Sequence, residues 1–237
     1  MKKLSLILGA TALVLAAMVT LGCENATEEK TKDVTYYPVQ AGDWVIWDGG
    51  STAYKAPANF TLPYTPVTVG VHTYEVISGL FAPDTDGVYD YSGKASGLAQ
   101  GDVVQLRVLT PSTGSGAITT LYDTIGATAN TGTVALDDDK LYKVVRVVKA
   151  AAVQAGVAGA ITYAATKDAS GTDVTFASGS VAKVTVFTTA SGAAGGTLYD
   201  LIGSASAGQA LQTSIGSSKA VIVEKVYPAA AVVAGTA

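Results

Sequence analysis

Apolar and polar residues alternate with a period of two in several parts of the chain. Val104, Leu106 and Val108 alternate with Gln105 and Arg107, and Ala182, Val184 and Val186 alternate with Lys183 and Thr185. Successive side chains of a strand point to opposite faces, so each stretch predicts a strand with one buried face. Beyond residue 33 no long segment keeps the 3.6-residue apolar period of a helix. A Gly/Ser turn follows each strand, at residues 112–116 and 191–196. A Thr-Leu-Tyr-Asp strand comes next, and a closing strand is predicted over residues 141–149 and again over 219–227. Short strands broken by glycine turns predict an all-β chain of tandem β-sandwich-like repeats.

The same residues expose an internal duplication. Thr120-Leu121-Tyr122-Asp123-Thr124-Ile125-Gly126 recurs as Thr197-Leu198-Tyr199-Asp200-Leu201-Ile202-Gly203. Upstream, Asp90-Tyr91-Ser92-Gly93 pairs with Asp168-Ala169-Ser170-Gly171, and Ala99, Gly101 and Val103 pair with Ala177, Gly179 and Val181. Downstream, Ala150-Ala151-Ala152-Val153 pairs with Ala229-Ala230-Ala231-Val232, and the offset stays between 77 and 79 residues throughout. These blocks divide the chain into an N-terminal β region at 34–82, repeat 1 at 83–155, and repeat 2 at 156–237 with an apolar C-terminal tail. At about 75 to 80 residues each repeat is near the lower size for independent folding, so the two are expected to pack together or share strands. The region 34–82 has no clear match to either copy and reads as a third divergent domain or an extension of the first.

The start of the chain has a different character. Lys2 and Lys3 precede an uncharged apolar run over residues 4–21, which ends in Thr20-Leu21-Gly22-Cys23. A basic start, an apolar core and small residues at a cut site make an export signal, so residues 1–22 are expected to be cleaved. An uncleaved membrane anchor is the alternative for a run of this length. The segment resembles the lipobox of bacterial lipoproteins in its relaxed, spirochaete-like form. Gly22 and Cys23 match that pattern, while Thr20 and Leu21 depart from the usual order of Leu followed by a small residue. The resemblance implies that Cys23 is lipidated with palmitate-type chains, becomes the N-terminus, and holds the protein to the outer membrane or cell surface. One acyl chain binds a bilayer only marginally, whereas the several chains implied for Cys23 give a stable anchor. Residues 23–33 then form a charged tether too polar to pack. The repeat, at 120–126 and 197–203 with the preceding turns, resembles β modules common in phage virion and bacterial surface proteins. That resemblance implies a structural or attachment role.

Charge and residue counts narrow the chemistry. Without Lys2 and Lys3 the chain has 13 basic and 19 acidic residues, a net −6, and Arg107 and Arg146 are its only arginines. Such a surface argues against nucleic acid as a partner, since phosphate neutralisation supplies most of that affinity. Cys23 is the sole cysteine and His72 the sole histidine. An intramolecular disulfide, a thiolate metal site and a His-based zinc site are thereby excluded. His72 reads as a solvent-facing strand residue, and the glycine runs lack the Lys-Ser/Thr of a phosphate loop. Asp137, Asp138 and Asp139 could offer oxygen ligands to a metal such as calcium, with Asp84, Asp86 and Asp90 as a second set. Repeat 2 has Ser214, Ile215 and Gly216 at the former position, so an exposed acidic turn is the plainer reading. The duplicated Asp123 and Asp200 read as turn caps, and Tyr122 and Tyr199 as packed rings with surface hydroxyls; two equivalent binding sites are the alternative. Trp44 and Trp47, three apart on a strand, point to opposite faces, so one is core and the other could stack on a sugar ring.

The combined expectation is a lipid-anchored structural or adhesive surface protein, not an enzyme and without a cofactor. Its partners would be the membrane and either itself or another surface component. Association is expected through edge-strand pairing, donated by residues 34–39 or by the tail at 229–237. The alternative is a carbohydrate- or ligand-binding surface lipoprotein.

Overall fold

A glycine with positive φ, followed by an aspartate or serine, opens the central strand of three successive modules. The computed structural model describes residues 36–47, 50–63, 67–69, 72–203, 208–209 and 215–232. Gly42, Gly101 and Gly179 have φ of 97°, 85° and 84°, a region that favours glycine because it lacks a Cβ. Their N–H groups donate to the carbonyls of Ala56, Ile125 and Ile202 at 2.8, 2.9 and 2.9 Å. The next N–H, of Asp43, Asp102 or Ser180, donates to Gln40, Ala99 or Ala177 at 3.0 Å in each case.

The N-terminal module contains β1 (Tyr36–Val39), β2 (Trp44–Trp47), β3 (Thr52–Lys55), β4 (Phe60–Pro63), β5 (Val67–Val69) and β6 (His72–Ile77). Repeat 1 contains β7 (Gly87–Asp90), β8 (Val103–Pro111), β9 (Ser115–Thr124), β10 (Thr131–Leu136) and β11 (Leu141–Val148). Repeat 2 contains β12 (Val153–Ala155), β13 (Val181–Thr188), β14 (Ala194–Ile202), β15 (Gly208–Gln209) and β16 (Lys219–Tyr227). The fold is all-β, in antiparallel sheets. A seven-stranded sheet runs β11-β8-β9-β3-β2-β6-β5, and a five-stranded sheet runs β12-β16-β13-β14-β15. The same trio therefore occurs three times, as β6-β2-β3, β11-β8-β9 and β16-β13-β14. The N-terminal region thus carries the same three-strand order as the two repeats.

Each trio turns alternate residues of its central strand into the module's own core. In β2 this residue is Val45, packed with Val39 and Ala56. In β8 they are Val104, Leu106 and Val108, packed with Tyr91, Ile125 and Leu136. In β13 they are Ala182, Val184 and Val186, packed with Ile161, Tyr163 and Ile202. The two-stranded sheet of β7 and β10 forms a second layer over repeat 1. In repeat 2 the irregular segment 161–176 takes that place, with Tyr163 stacked on Phe176 at 4.7 Å between ring centroids. The closing strand slips register at the same place in both repeats, passing over Val145 in β11 and Glu224 in β16. Such a slip re-aims the side chains on either side of it.

Two expected boundaries shift, and the tail takes a different form from the one expected. Phe81 already bridges to Tyr142 and sits in the core of repeat 1, so that module begins before residue 83. β12 pairs with β16, so residues 153–155 belong to the sheet of repeat 2. The start of the C-terminal tail, Ala229–Ala231, is a 3-10 turn that repeats the turn at Ala150–Ala152. It does not form a strand, and β1 is already paired with β4. Residues 233–237 lie outside the described residues.

Candidate functional site

The outward-facing positions of the central strands join the modules. In β8 these are Val103, Gln105, Arg107 and Leu109, and the strand divides them between two neighbours. Leu109 packs with Trp44, Ile46, Ala53 and Ile77 of the N-terminal module, and Arg107 Nη1 donates to Glu75 Oε1 at 2.7 Å. Val103, with Tyr122 and Val148, packs on Phe187, Ala220 and Ile222 of repeat 2. The rings of Tyr122 and Phe187 lie 5.3 Å apart. Here Arg146 makes a bidentate pair with Glu224, at 2.9 and 2.6 Å, and its Nε donates to Gln105 at 2.6 Å. The Thr185 hydroxyl donates to Glu224 at 2.8 Å. Hydrogen bonding from Arg146 and Thr185 outweighs burial and holds the Glu224 carboxyl below its ordinary range.

The two junctions share one rule. Trp44 and Ile77 stand opposite each other in the N-terminal module as Val103 and Val148 do in repeat 1. Glu75 lies opposite Ile46, and Arg146 lies opposite Gln105. The ion pair thus starts from the same strand position in both modules, with the charge reversed. At each junction the start of one central strand meets the finish of the next. Backbone adds to this. β3 pairs with β9, and the Gly114 carbonyl accepts the Lys55 N–H at 3.1 Å. One module on, Leu121 bridges to Ala193, and the Gly192 carbonyl accepts the Tyr122 N–H at 2.8 Å.

The duplicated aspartates are deeply buried acceptors, not surface turn caps. Asp123 is 0% exposed and Asp200 is 3% exposed. Asp123 Oδ2 accepts the Tyr91 hydroxyl at 2.7 Å, and Oδ1 accepts the N–H groups of Thr133 and Val134 at 2.8 and 2.9 Å. Asp200 Oδ2 accepts the Tyr163 hydroxyl at 2.9 Å, while its Oδ1 has no partner among the described residues. Space for each carboxylate comes from a glycine: a Cβ on Gly132 would overlap Asp123, and one on Gly208 would overlap Asp200. Burial pushes both carboxyls up, against the downward pull of the tyrosine hydroxyls. The phenols of Tyr91 and Tyr163 are pushed up in turn, by burial and by the adjacent carboxylate. Sequence pairing sets Tyr91 against Ala169, but Tyr163 takes the equivalent role, since the segment before β13 follows a different path.

No protein-family model matches the chain, and no curated protein and no solved structure matches it either. Trp44 is buried at the first junction. It therefore offers no sugar-stacking surface, because its ring fills the contact with Leu109. The side chains of Trp47 and His72 lie outside the described residues, as does Cys23 with the whole apolar run before it. Among the described residues no helix is long and apolar enough to cross a membrane.

The acidic segments meet at one corner of repeat 1. Asp86 Oδ1 accepts the Asp138 N–H at 2.8 Å, and the Asp137 N–H donates to the Tyr142 hydroxyl at 2.9 Å. Burial, followed by the charges of Asp139 and Asp86, pushes the Tyr142 phenol up to about 12. Asp137 pairs with Lys140, and Asp90 accepts the Ser92 N–H at 2.8 Å. Among the described residues no three metal-ligating side chains converge. These carboxylates order turns. Beside them an open groove of about 820 Å³ runs between Thr119, Thr120, Asp137 and Lys140 of repeat 1 and Ser191 and Ala193 of repeat 2.

Proposed function

We propose that the protein is a lipid-anchored structural or adhesive component of the cell surface, a short stack of β modules held off the membrane by a charged tether. The observation that supports this reading is the repeated junction. In two successive module contacts an apolar patch at the start of one central strand meets the finish of the next, with a backbone bridge and one ion pair that starts from the same position of the closing strand and ends on different strands. Contacts of this kind restrict the rotation of one module against the next, as a spacer or display element requires. The lipobox-like Thr20-Leu21-Gly22-Cys23 supplies the anchor and residues 24–33 the tether. Fractionation of cells carrying wild-type and Cys23→Ser protein, with protease treatment of intact cells, tests the reading. Wild type should stay with the membrane and be digested from outside, while the variant leaves the membrane fraction. Equal partition of the two proteins would refute it.

A further inference from the structure

Two lysines stand directly opposite each other on the outer face of repeat 2. Lys183 of β13 pairs in register with Lys225 of β16 on one side and with Tyr199 of β14 on the other. The next row of the same face, two residues back along β13, holds Leu201, Val181 and Tyr227. Like charges directly opposite on neighbouring strands repel and destabilise a sheet. At the corresponding places of repeat 1, Gln105 lies opposite Arg146, a neutral acceptor beside one cation. There Val103, Tyr122 and Val148 are buried against repeat 2. In repeat 2 the matching Tyr199 is 51% exposed, Lys225 is exposed, and Val181, Lys183, Leu201 and Tyr227 are half-buried.

Two carboxylates come near the lysines, Glu224 to Lys183 and Asp168 to Lys225. Both have other partners. Glu224 is held by Arg146 and Thr185, and Asp168 accepts the N–H groups of Ser170 and Thr172 at 2.9 and 3.0 Å. Among the described residues neither lysine forms an ion pair. The Lys225 ammonium lies 5.2 Å from the centre of the Tyr227 ring instead. The face thus presents two cations without a bound counter-ion between two tyrosines, in a chain whose net charge is −4.

We propose that this face of repeat 2 binds an acidic polysaccharide, a ligand class that rests on the surface-scaffold reading. A carboxylate or sulfate seated between Lys183 and Lys225 removes their repulsion and gains charge-assisted hydrogen bonds. Tyr199 and Tyr227 flank that point and offer ring faces to the apolar sides of sugar rings. Tyr199 and Lys225 are two strand spacings apart, about 10 Å, so an extended glycan reaches both where a single sugar does not. An anionic bilayer is the poorer occupant. The acidic corner of repeat 1, with Asp86, Asp137, Asp138 and Asp139, repels a broad negative surface, whereas a slender polymer meets this face alone. Val181 and Leu201 are half-buried and leave little to insert among acyl chains.

The test is isothermal titration of the full chain, carried in phosphatidylcholine nanodiscs, with hexagalacturonate, a heparin hexasaccharide, uncharged maltohexaose and polyglutamate. Co-sedimentation with phosphatidylglycerol vesicles is measured beside it. The variants are Tyr199→Ser and Lys225→Gln, both at exposed positions, and Lys94→Gln, which removes an equal charge from repeat 1. One or both acidic hexasaccharides should bind at about 1 mM or tighter, weaken with added salt, and weaken about tenfold in Tyr199→Ser and in Lys225→Gln. Lys94→Gln should bind as wild type does, and maltohexaose should not bind. No binding of either acidic hexasaccharide overturns the proposal. So do equal losses in all three variants, equally tight binding of polyglutamate, or binding to the vesicles alone. Membrane retention through Cys23 is scored separately, so a missing glycan contact and a missing anchor are distinguishable.

Discussion

Asp123 and Asp200 occupy the same place in two copies of one module, yet their loss should cost different amounts. Asp123 holds three donors in a fully buried site: the Tyr91 hydroxyl and the N–H groups of Thr133 and Val134. Asp200 holds one, the Tyr163 hydroxyl. Leaving a buried donor unsatisfied costs about 1 to 3 kcal/mol. Asp123→Ala strands three donors, two of them on the β10 backbone, for a total of about 4 kcal/mol after partial relaxation. Asp200→Ala strands one and also removes a buried carboxylate whose Oδ1 has no partner among the described residues, for about 1 kcal/mol. Urea unfolding at neutral pH, followed by far-UV circular dichroism, reads the difference as a shift in midpoint at unchanged slope. Asp123→Asn should recover most of the loss, since its carbonyl still accepts the two N–H groups and its amide can donate to Tyr91. Equal costs for the two alanine variants, within about 1 kcal/mol, would refute the claim that hydrogen-bond count sets the energy of this pair.

Four further outcomes follow from the same contacts. The folded-state carboxyls of Asp123 and Asp200 lie above their ordinary 3.8, so the folded state binds their protons more tightly. Their contribution to stability is fully present below 3.8 and is lost as pH rises through the raised value; the asparagine variants should flatten that part of a pH–midpoint curve. Glu224 has the opposite sign: its carboxyl lies below the ordinary 4.5, so its contribution is present above 4.5 and lost as pH falls through the lowered value, an acid limb that Glu224→Gln should remove. Arg146→Met should destabilise the junction by about 2 kcal/mol, reduced from the fully buried case because Arg146 is partly exposed, and a cycle with Glu224→Met should show coupling of about 1 kcal/mol. Gly192→Ala should cost more than Gly114→Ala in thermal melting. Both glycines have positive φ, but a Cβ at 192 would press on the Tyr122 carbonyl and the Leu121 side chain, whereas one at 114 meets nothing within 4 Å.

Much of the fold can be read from residues alone. Alternation over 103–109 and 181–187 fixes which side of each central strand faces its own core, and the Thr-Leu-Tyr-Asp blocks align the two repeats. The third module is harder to see. Gly42-Asp43-Trp44-Val45 matches Gly101-Asp102-Val103-Val104, but β2 and β3 have four residues each where β8 and β9 have nine and ten. The shorter hairpin breaks the constant offset. The junctions are hidden for another reason. Gln105, Arg107 and Thr185 look like solvent-side residues because a polar position on a strand has the same appearance whether it faces water or another module. The buried aspartates escape a sequence reading in the same way, since the tyrosines that donate to them and the glycines that leave them room come from distant segments of the chain.

The central claim is that Cys23 carries the lipid that places this stack at the cell surface. Metabolic labelling of cells with an alkyne fatty acid, followed by mass spectrometry of the N-terminal peptide, tests it most directly. The account predicts a labelled mature chain that starts at Cys23, with the label absent from Cys23→Ser. An unlabelled chain, or one that retains residues 1–22, would contradict it.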